Sequence, residues 1–167
     1  MLYENYIKSG FILRLLSIAI ILTLPIDNKI KTIAVFATDF LDCWTAKGLG
    51  FLHGVENPWK MCKSYRYQSV DKSVDLLTYG IIYVYLGLSP LYLYLILIRL
   101  IGISLFYLTL NSTWLILFPD LFKEILLFDW YVAKINTTNF SIIFAAKMIF
   151  EYIWHTYNNH NDYKKGD

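Results

Sequence analysis

The sequence has few charged residues and almost no net charge. Asp, Glu, Lys and Arg make up 17% of its 167 residues, and the formal net charge is +2. A soluble domain usually has about 25% charged residues, and a nucleic-acid-binding domain usually carries a clear basic excess. The composition therefore excludes an ordinary soluble domain and gives no indication of nucleic-acid binding. The 57% hydrophobic content also excludes a disordered chain.

Long stretches of the chain contain no charged residue at all. The runs 15–26, 76–98 and 100–119 lack Asp, Glu, Lys and Arg. A membrane-spanning helix needs roughly 20 mostly apolar residues. The sequence therefore predicts an all-α, polytopic protein of the lipid bilayer, with one membrane-embedded domain over 1–157 and a polar tail at 158–167.

The apolar runs and the breaks between them predict six transmembrane helices. We place these helices at 11–25, 30–47, 71–86, 91–110, 113–131 and 140–157. An even number of spans puts both termini on one side. Lys and Arg are more numerous on that side, which predicts the cytoplasm by the positive-inside rule. The polar loop 48–70 is then cytoplasmic as well, and 87–90 is a tight turn.

Two pairs of carboxylates lie near the ends of predicted helices. Asp39 and Asp42 are three residues apart near the C-terminal end of the second helix, and Asp71 and Asp75 are four apart at the start of the third. Residues at these spacings share a helix face, so antiparallel packing would bring all four together. Acidic residues are disfavoured near a helix C-terminus, so a helix-end role does not explain the first pair.

Four neighbouring carboxylates repel one another unless cations neutralise them. Clustered oxygen ligands without imidazole or thiolate suit hard divalent cations such as Mg²⁺ or Mn²⁺. Mg²⁺ commonly joins one or two carboxylates to the phosphates of a substrate. The sequence therefore predicts a site for Mg²⁺ or Mn²⁺ and a phosphate-containing substrate at the cytoplasmic surface of the membrane.

The residues that form this pattern resemble a known signature. The segments 39–47 (Asp-Phe-Leu-Asp-Cys-Trp-Thr-Ala-Lys) and 71–75 (Asp-Lys-Ser-Val-Asp) resemble the motif of the CDP-alcohol phosphotransferases. That motif reads D-x2-D-G-x2-A-R and then G-x3-D-x3-D, and the four acids and Ala46 match it in spacing. Arg14 and Arg99 fall near basic positions that are common in the family.

The chain departs from the family pattern at three residues. Cys43 and Tyr67 stand where the motif has Gly, and Lys47 stands where it has Arg. The interval between the two halves of the motif is also longer in this chain. Lys keeps the positive charge of Arg but loses its bidentate fork.

The resemblance implies a membrane transferase of phospholipid biosynthesis. Such an enzyme moves a phosphatidyl or related phospho-alcohol group from a CDP-linked donor, such as CDP-diacylglycerol, to an acceptor hydroxyl and releases CMP. It leaves the acceptor open among glycerol 3-phosphate, phosphatidylglycerol, serine and inositol, and it allows a homodimer.

The resemblance also assigns roles to individual residues. Metal binding against the donor pyrophosphate would fall to Asp39, Asp42, Asp71 and Asp75. Asp75 would act in addition as the general base on the acceptor hydroxyl. The substrate-binding residues would be Cys43, Ala46, Lys47 and Arg99, with Lys47 facing the nucleotide phosphates and Arg99 an anionic acceptor.

Other interpretations stay open at this point. A catalytically inactive membrane protein that keeps the fold would also show these substitutions in the motif. The four acids could instead form a cation path, although the nearly apolar third helix beyond Thr78 argues against a pore. Arg99 could simply extend to the membrane surface or pair with an acid.

Charged residues also interrupt the last two predicted helices. Asp120, Lys123 and Glu124 lie near the middle of the fifth helix, either as a buried polar set or because that helix lies partly at the interface. Lys147 and Glu151 lie four residues apart in the sixth helix, and we expect them to pair.

Overall fold

The structure, a computed structural model, describes residues 2–54, 65–111 and 113–157. Within these ranges it contains eight α-helices and no strand, so the all-α prediction is confirmed for this part of the chain. The helices are α1 (Leu2–Thr23), α2 (Asn28–Ala37), α3 (Asp39–Leu52), α4 (Tyr65–Leu86), α5 (Pro90–Thr109), α6 (Thr113–Leu117), α7 (Phe122–Tyr131) and α8 (Thr137–Tyr157). The predicted tail 158–167 and the centre of the predicted loop 48–70 lie outside the described residues.

The chain divides into two compact units between Asp75 and Leu76, and α4 contributes to both. In the first unit α1 packs closely on α3. Its core is formed by side chains from three helices: Tyr6, Ile7, Phe11, Ala46, Tyr67 and Val74. Phe11 and Tyr67 are in contact, with ring centroids 5.4 Å apart.

The second predicted helix is in fact two helices that meet at Thr38, so the prediction of one helix over 30–47 is wrong. The Thr38 N–H donates to the carbonyls of both Ala34 and Val35, and the Thr38 hydroxyl donates to the Val35 carbonyl at 2.7 Å. Such shared hydrogen bonds are common at helix ends. Asp39 and Asp42 consequently lie in the first turn of α3, where the helix dipole favours acid, and not near a helix C-terminus.

The third predicted helix begins earlier than expected. α4 starts at Tyr65, so the segment 65–70 is helical and not part of a loop. Asp71 and Asp75 therefore lie in the second and third turns of α4 and not at its start. The predicted turn at 87–90 is confirmed: Gly87 has a φ of +58°, which favours glycine, and Pro90 is the first residue of α5.

The prediction of a single fifth helix over 113–131 is also wrong. It consists of α6 and α7, separated by Phe118, Pro119, Asp120 and Leu121. A proline lacks the backbone N–H and disfavours helical geometry in the preceding residue, which explains the interruption.

Several charged residues of this second unit contact other polar side chains. Asp120 is buried beside the break and accepts a hydrogen bond from the Tyr79 hydroxyl. The Lys147 ammonium lies 2.6 Å from a Glu124 oxygen and 3.5 Å from a Glu151 oxygen. The expected pairing of Lys147 with Glu151 is therefore confirmed, and Asp120 and Glu124 belong to buried or half-buried polar contacts.

Among the described residues, two helical segments are long and apolar enough to cross a membrane: Asn5–Thr23 within α1, and Pro90–Thr109, which is α5. Both also expose large apolar side chains. Ile12 and Leu16 on α1 are 58% and 56% exposed, and Leu108 on α5 is 80% exposed. Apolar faces of this kind suit lipid better than water. These observations support a membrane protein, and the arrangement of six spans stays a prediction.

The packing of α1 on α3 depends on the absence of a side chain at Gly10. A Cβ atom added there would lie 3.0 Å from both Cα and the carbonyl carbon of Asp42, and closer still to its carbonyl oxygen. We expect Gly10→Ala to lower the free energy of unfolding by about 1–3 kcal/mol, because the backbones must move apart. Thermal unfolding in detergent micelles measures this loss.

Gly48→Ala is the matched control for this substitution. Gly48 lies in α3, and an added Cβ meets nothing within 4 Å. Because alanine favours helix over glycine by up to about 1 kcal/mol, this variant should unfold at the wild-type temperature or above it. Equal stabilities of the Gly10 and Gly48 variants would contradict the close approach of α1 and α3.

Candidate functional site

The four predicted carboxylates come together in the first unit, around a residue of α1. Asp39 and Asp42 project from α3, and Asp71 and Asp75 project from α4. The Arg14 guanidinium lies among them and is only 1% exposed. We refer to these five residues as the Arg14 cluster.

Each carboxylate of the Arg14 cluster is within ion-pair distance of the guanidinium. Nη1 of Arg14 lies 2.9 Å from Asp39 Oδ1, 3.0 Å from Asp42 Oδ2 and 3.3 Å from Asp71 Oδ1. Nη2 lies 2.6 Å from Asp75 Oδ1. A charge-assisted bond of this kind is roughly twice as strong as a neutral hydrogen bond. The guanidinium therefore ties α1, α3 and α4 together.

Asp42 is the most enclosed carboxylate of the cluster. Its side chain is fully buried. Besides the bond from Arg14, its Oδ1 accepts hydrogen bonds from the Tyr67 hydroxyl at 2.8 Å and from the Cys43 backbone N–H at 2.5 Å. A buried charge is stable only when it is paired and hydrogen-bonded, and Asp42 meets both conditions.

Lys72 adds a second cation at the α4 side of the cluster. Its ammonium lies 2.7 Å from Asp71 Oδ2 and 3.9 Å from Asp75 Oδ2. Arg14 and Lys72 together thus face four carboxylates.

Three of the carboxylates have the geometry of a metal-binding group. One oxygen from each of Asp39, Asp42 and Asp71 lies within 4.8 Å of the other two. Oxygens on opposite sides of a bound Mg²⁺ are about 4.2 Å apart, since each Mg–O bond is about 2.1 Å. A small inward movement of the side chains would bring these oxygens to coordination distance. The donor set, all carboxylate, fits a hard divalent cation.

Asp75 differs from the other three acids because it is not a member of that group. It contacts Nη2 of Arg14, whereas the three acids of the group contact Nη1. The assignment of Asp75 as a metal ligand and as the general base stays a prediction.

One side of the cluster is more accessible than the others. The Asp39 side chain is 30% exposed, whereas the Asp75 side chain is 4% exposed and that of Asp42 is fully buried. A cation or a phosphate group from outside would therefore reach the cluster past Asp39.

The other predicted site residues have different surroundings. Ala46 is fully buried in the core between α1, α3 and α4, and Cys43 and Lys47 are partly buried in α3. Arg99 belongs to the second unit, where Nη1 donates to the Leu115 carbonyl at 3.2 Å and to the Phe118 carbonyl at 2.8 Å. These bonds satisfy carbonyls at the end of α6, a structural role.

Sequence reasoning noted Arg14 as a basic residue near a family position but did not predict its contact with all four acids. The sequence did indicate that Arg14 needs a partner, because this charged residue lies within the apolar run that forms the first predicted span. A charged side chain is almost never fully buried unless it has a partner. Tyr67 was noted only as a departure from the motif, and its bond to Asp42 was also unforeseen.

The hydrogen bond from Tyr67 to Asp42 can be tested by removing only the hydroxyl. We expect Tyr67→Phe to lower the free energy of unfolding by about 1–3 kcal/mol, because a buried carboxylate loses one of its donors. Thermal or denaturant unfolding in micelles gives the value. Tyr94→Phe is the control, since Tyr94 is 63% exposed and should change stability little. Identical effects of the two substitutions would show that the bond does not stabilise the fold.

Comparison with known proteins returns no relative. No protein-family model, no curated protein and no solved structure matches the chain.

Proposed function

We propose that the chain is a membrane transferase that moves a phosphatidyl or related phospho-alcohol group from a CDP-linked donor to an acceptor hydroxyl, with release of CMP. The observation that carries the proposal is the convergence of Asp39, Asp42, Asp71 and Asp75 around one buried point. These acids come from two segments with the spacing of the CDP-alcohol phosphotransferase motif. The acceptor could be a lipid or a small alcohol.

The carboxylate group Asp39, Asp42 and Asp71 is suited to hold Mg²⁺ or Mn²⁺. Such a cation, when bound, supplies positive charge to the pyrophosphate and to the departing CMP. The chain fixes the position of that charge, because Asp42 is held by Tyr67 and by the Cys43 N–H. Partly exposed Asp39 leaves the group accessible to a donor from the solvent side.

The proposed reaction is a substitution at phosphorus. The acceptor oxygen forms a bond to the phosphorus that carries the alcohol group, and the bond from that phosphorus to the bridging oxygen breaks. CMP departs with the bonding electron pair. Asp75, which lies outside the three-residue group, takes the proton of the acceptor hydroxyl.

A position of the cluster near the membrane surface is supported by the two faces of α3. Asp42 and Ala46 are buried on one face, and the opposite face exposes Phe40, Trp44 and Phe51 at 68%, 71% and 78%. Aromatic side chains are enriched where a membrane meets water. A donor such as CDP-diacylglycerol also has its reacting phosphates at that depth. We place the site on the cytoplasmic side, as the distribution of Lys and Arg predicts.

One alternative has support from the structure. A catalytically inactive membrane protein would keep the acids as partners of Arg14 in a structural ion-pair cluster. The hydroxyl of Tyr67, a residue that stands where the motif has Gly, contacts Asp42 and thus fills space beside the carboxylate. An assay of CMP release distinguishes this alternative from the proposed enzyme.

The purified full-length chain in lipid nanodiscs should release CMP from CDP-diacylglycerol when Mg²⁺ or Mn²⁺ and the correct alcohol are present. We expect Asp42→Asn to reduce this release by at least about 100-fold, because a carboxylate of the metal group becomes an amide. The measurement is CMP formed per minute over a panel of acceptor alcohols.

Asp27→Asn is the matched control for this substitution. Asp27 caps the N-terminus of α2 by accepting from the Lys29 and Ile30 N–H groups, and asparagine caps helices equally well. This variant should keep full activity. The enzyme proposal fails if the wild type releases no CMP with any alcohol of the panel, or if Asp42→Asn is as active as wild type.

The role of Asp75 predicts a separation of binding from turnover. We expect Asp75→Asn to bind Mn²⁺ and the CDP-linked donor nearly as well as wild type while CMP release falls by about 100-fold or more, as is typical for loss of a general base. Equilibrium binding of the donor and single-turnover kinetics give the two quantities. Loss of donor binding in proportion to the loss of turnover would make Asp75 a ligand and not the base.

A further inference from the structure

We propose that Arg14 and a divalent cation compete for the same carboxylate oxygens, so that Arg14 must withdraw before the cation binds. The identity of the cation rests on the proposed function, whereas the competition rests on the geometry of the Arg14 cluster. Arg14 thus sets the affinity of the metal site and offsets part of the negative charge of the acids while no metal is bound.

The positions of the atoms carry this inference. Nη1 of Arg14 lies within 2.9–3.3 Å of oxygens from Asp39, Asp42 and Asp71. The same three residues form the group whose oxygens lie within 4.8 Å of one another. One space between three oxygens accommodates one cationic centre, because two positive groups a few ångströms apart repel strongly. The guanidinium and a metal ion are therefore alternative occupants.

The charge of the two occupants favours exchange. A guanidinium carries one positive charge and a divalent ion carries two, so exchange brings one more positive charge to the same carboxylates. The partial exposure of Asp39 also gives a cation a route to the group. Nη2 belongs to the same rigid guanidinium, so withdrawal of Arg14 also releases its bond to Asp75.

A withdrawn guanidinium would be available to a phosphate. Arg bonds well to phosphate oxygens through parallel N–H donors. Under the proposed function, metal binding would therefore convert Arg14 from a partner of acids into a donor for the pyrophosphate of the substrate. Exchange at the cluster would couple metal binding to substrate binding.

The test is a titration of the full-length chain in micelles with Mn²⁺, followed by electron paramagnetic resonance. Arg14→Gln removes the competing charge, and we expect it to bind Mn²⁺ at least about tenfold more tightly than wild type. Arg99→Gln is the matched control, since it removes a guanidinium that is also buried but bonds to backbone carbonyls of the second unit. Its Mn²⁺ affinity should equal that of wild type. Unchanged or weaker Mn²⁺ binding by Arg14→Gln overturns the competition.

The substitution Arg14→Gln could also unfold the protein, and measurements of thermal unfolding detect this outcome. Without metal, Arg14→Gln should unfold at a lower temperature than wild type, because four carboxylates lose a shared cation. Saturating Mn²⁺ should raise its unfolding temperature by more than it raises that of wild type. If Arg14→Gln is unfolded both with and without Mn²⁺, Arg14→Lys replaces it in the test. Lysine carries a point charge and lacks the planar guanidinium that bonds to several carboxylates, so we expect Arg14→Lys to bind Mn²⁺ more tightly than wild type. A wild-type affinity in Arg14→Lys then overturns the proposal.

The outcome for Arg14 can be separated from the outcome for the enzyme. Tighter Mn²⁺ binding by Arg14→Gln, with no CMP release from wild-type protein, supports the competition and rejects the transferase. Metal-dependent CMP release, with unchanged Mn²⁺ binding in Arg14→Gln, supports the transferase and rejects the competition.

Discussion

The ion pairs of Arg14 hold together three helices that are far apart in the sequence. One guanidinium in α1 contacts two acids of α3 and two acids of α4. Buried ion pairs of this kind are costly to desolvate, and removal of one partner leaves an uncompensated charge. Loss of Arg14 would therefore leave four carboxylates of the first unit without a shared cation. The cluster fixes which faces of α3 and α4 point inward.

The close packing of α1 and α3 is the second requirement for this arrangement. Gly10 lies against the backbone of Asp42, which is also a residue of the cluster. One turn further along α1, the side chain of Arg14 reaches the acids. The same short distance between helices thus serves the core and the ion pairs. The apolar contacts of Phe11, Ala46 and Tyr67 enclose the cluster on one side and limit its contact with water.

The sequence was sufficient to predict the helical class, the convergence of the four acids and the turn at Gly87. Each of these follows from a local pattern: apolar runs, the spacing of carboxylates on a helix face, and a glycine before a proline. The breaks at Thr38 and Pro119 were missed, because long apolar runs masked the local signals that end a helix. The helix positions of both acid pairs were also wrong, because α3 begins at Asp39 and α4 begins at Tyr65, although the convergence of the acids was predicted.

The role of Arg14 was harder to predict because it depends on tertiary contacts. A charge within an apolar run demands a partner, but the sequence does not say which acid supplies it. Tyr67 shows the same limit, since its hydroxyl is useful only where Asp42 lies beside it. The contacts of Arg99 with carbonyls at the end of α6 were likewise not predicted, and its role toward a substrate stays a prediction. The type of a residue and its position in the sequence indicated that it needs a partner. Only the folded structure shows which group that partner is.

The number of acids around Arg14 bears on whether the cluster is purely structural. One guanidinium is neutralised by one carboxylate, and each further carboxylate adds repulsion from its neighbours. Three acids nevertheless converge on a single nitrogen of Arg14, and two of them come from the motif segment 39–47. A protein that needed only to anchor Arg14 would gain little from the additional acids. Their convergence is what the proposed exchange of Arg14 for a divalent cation requires.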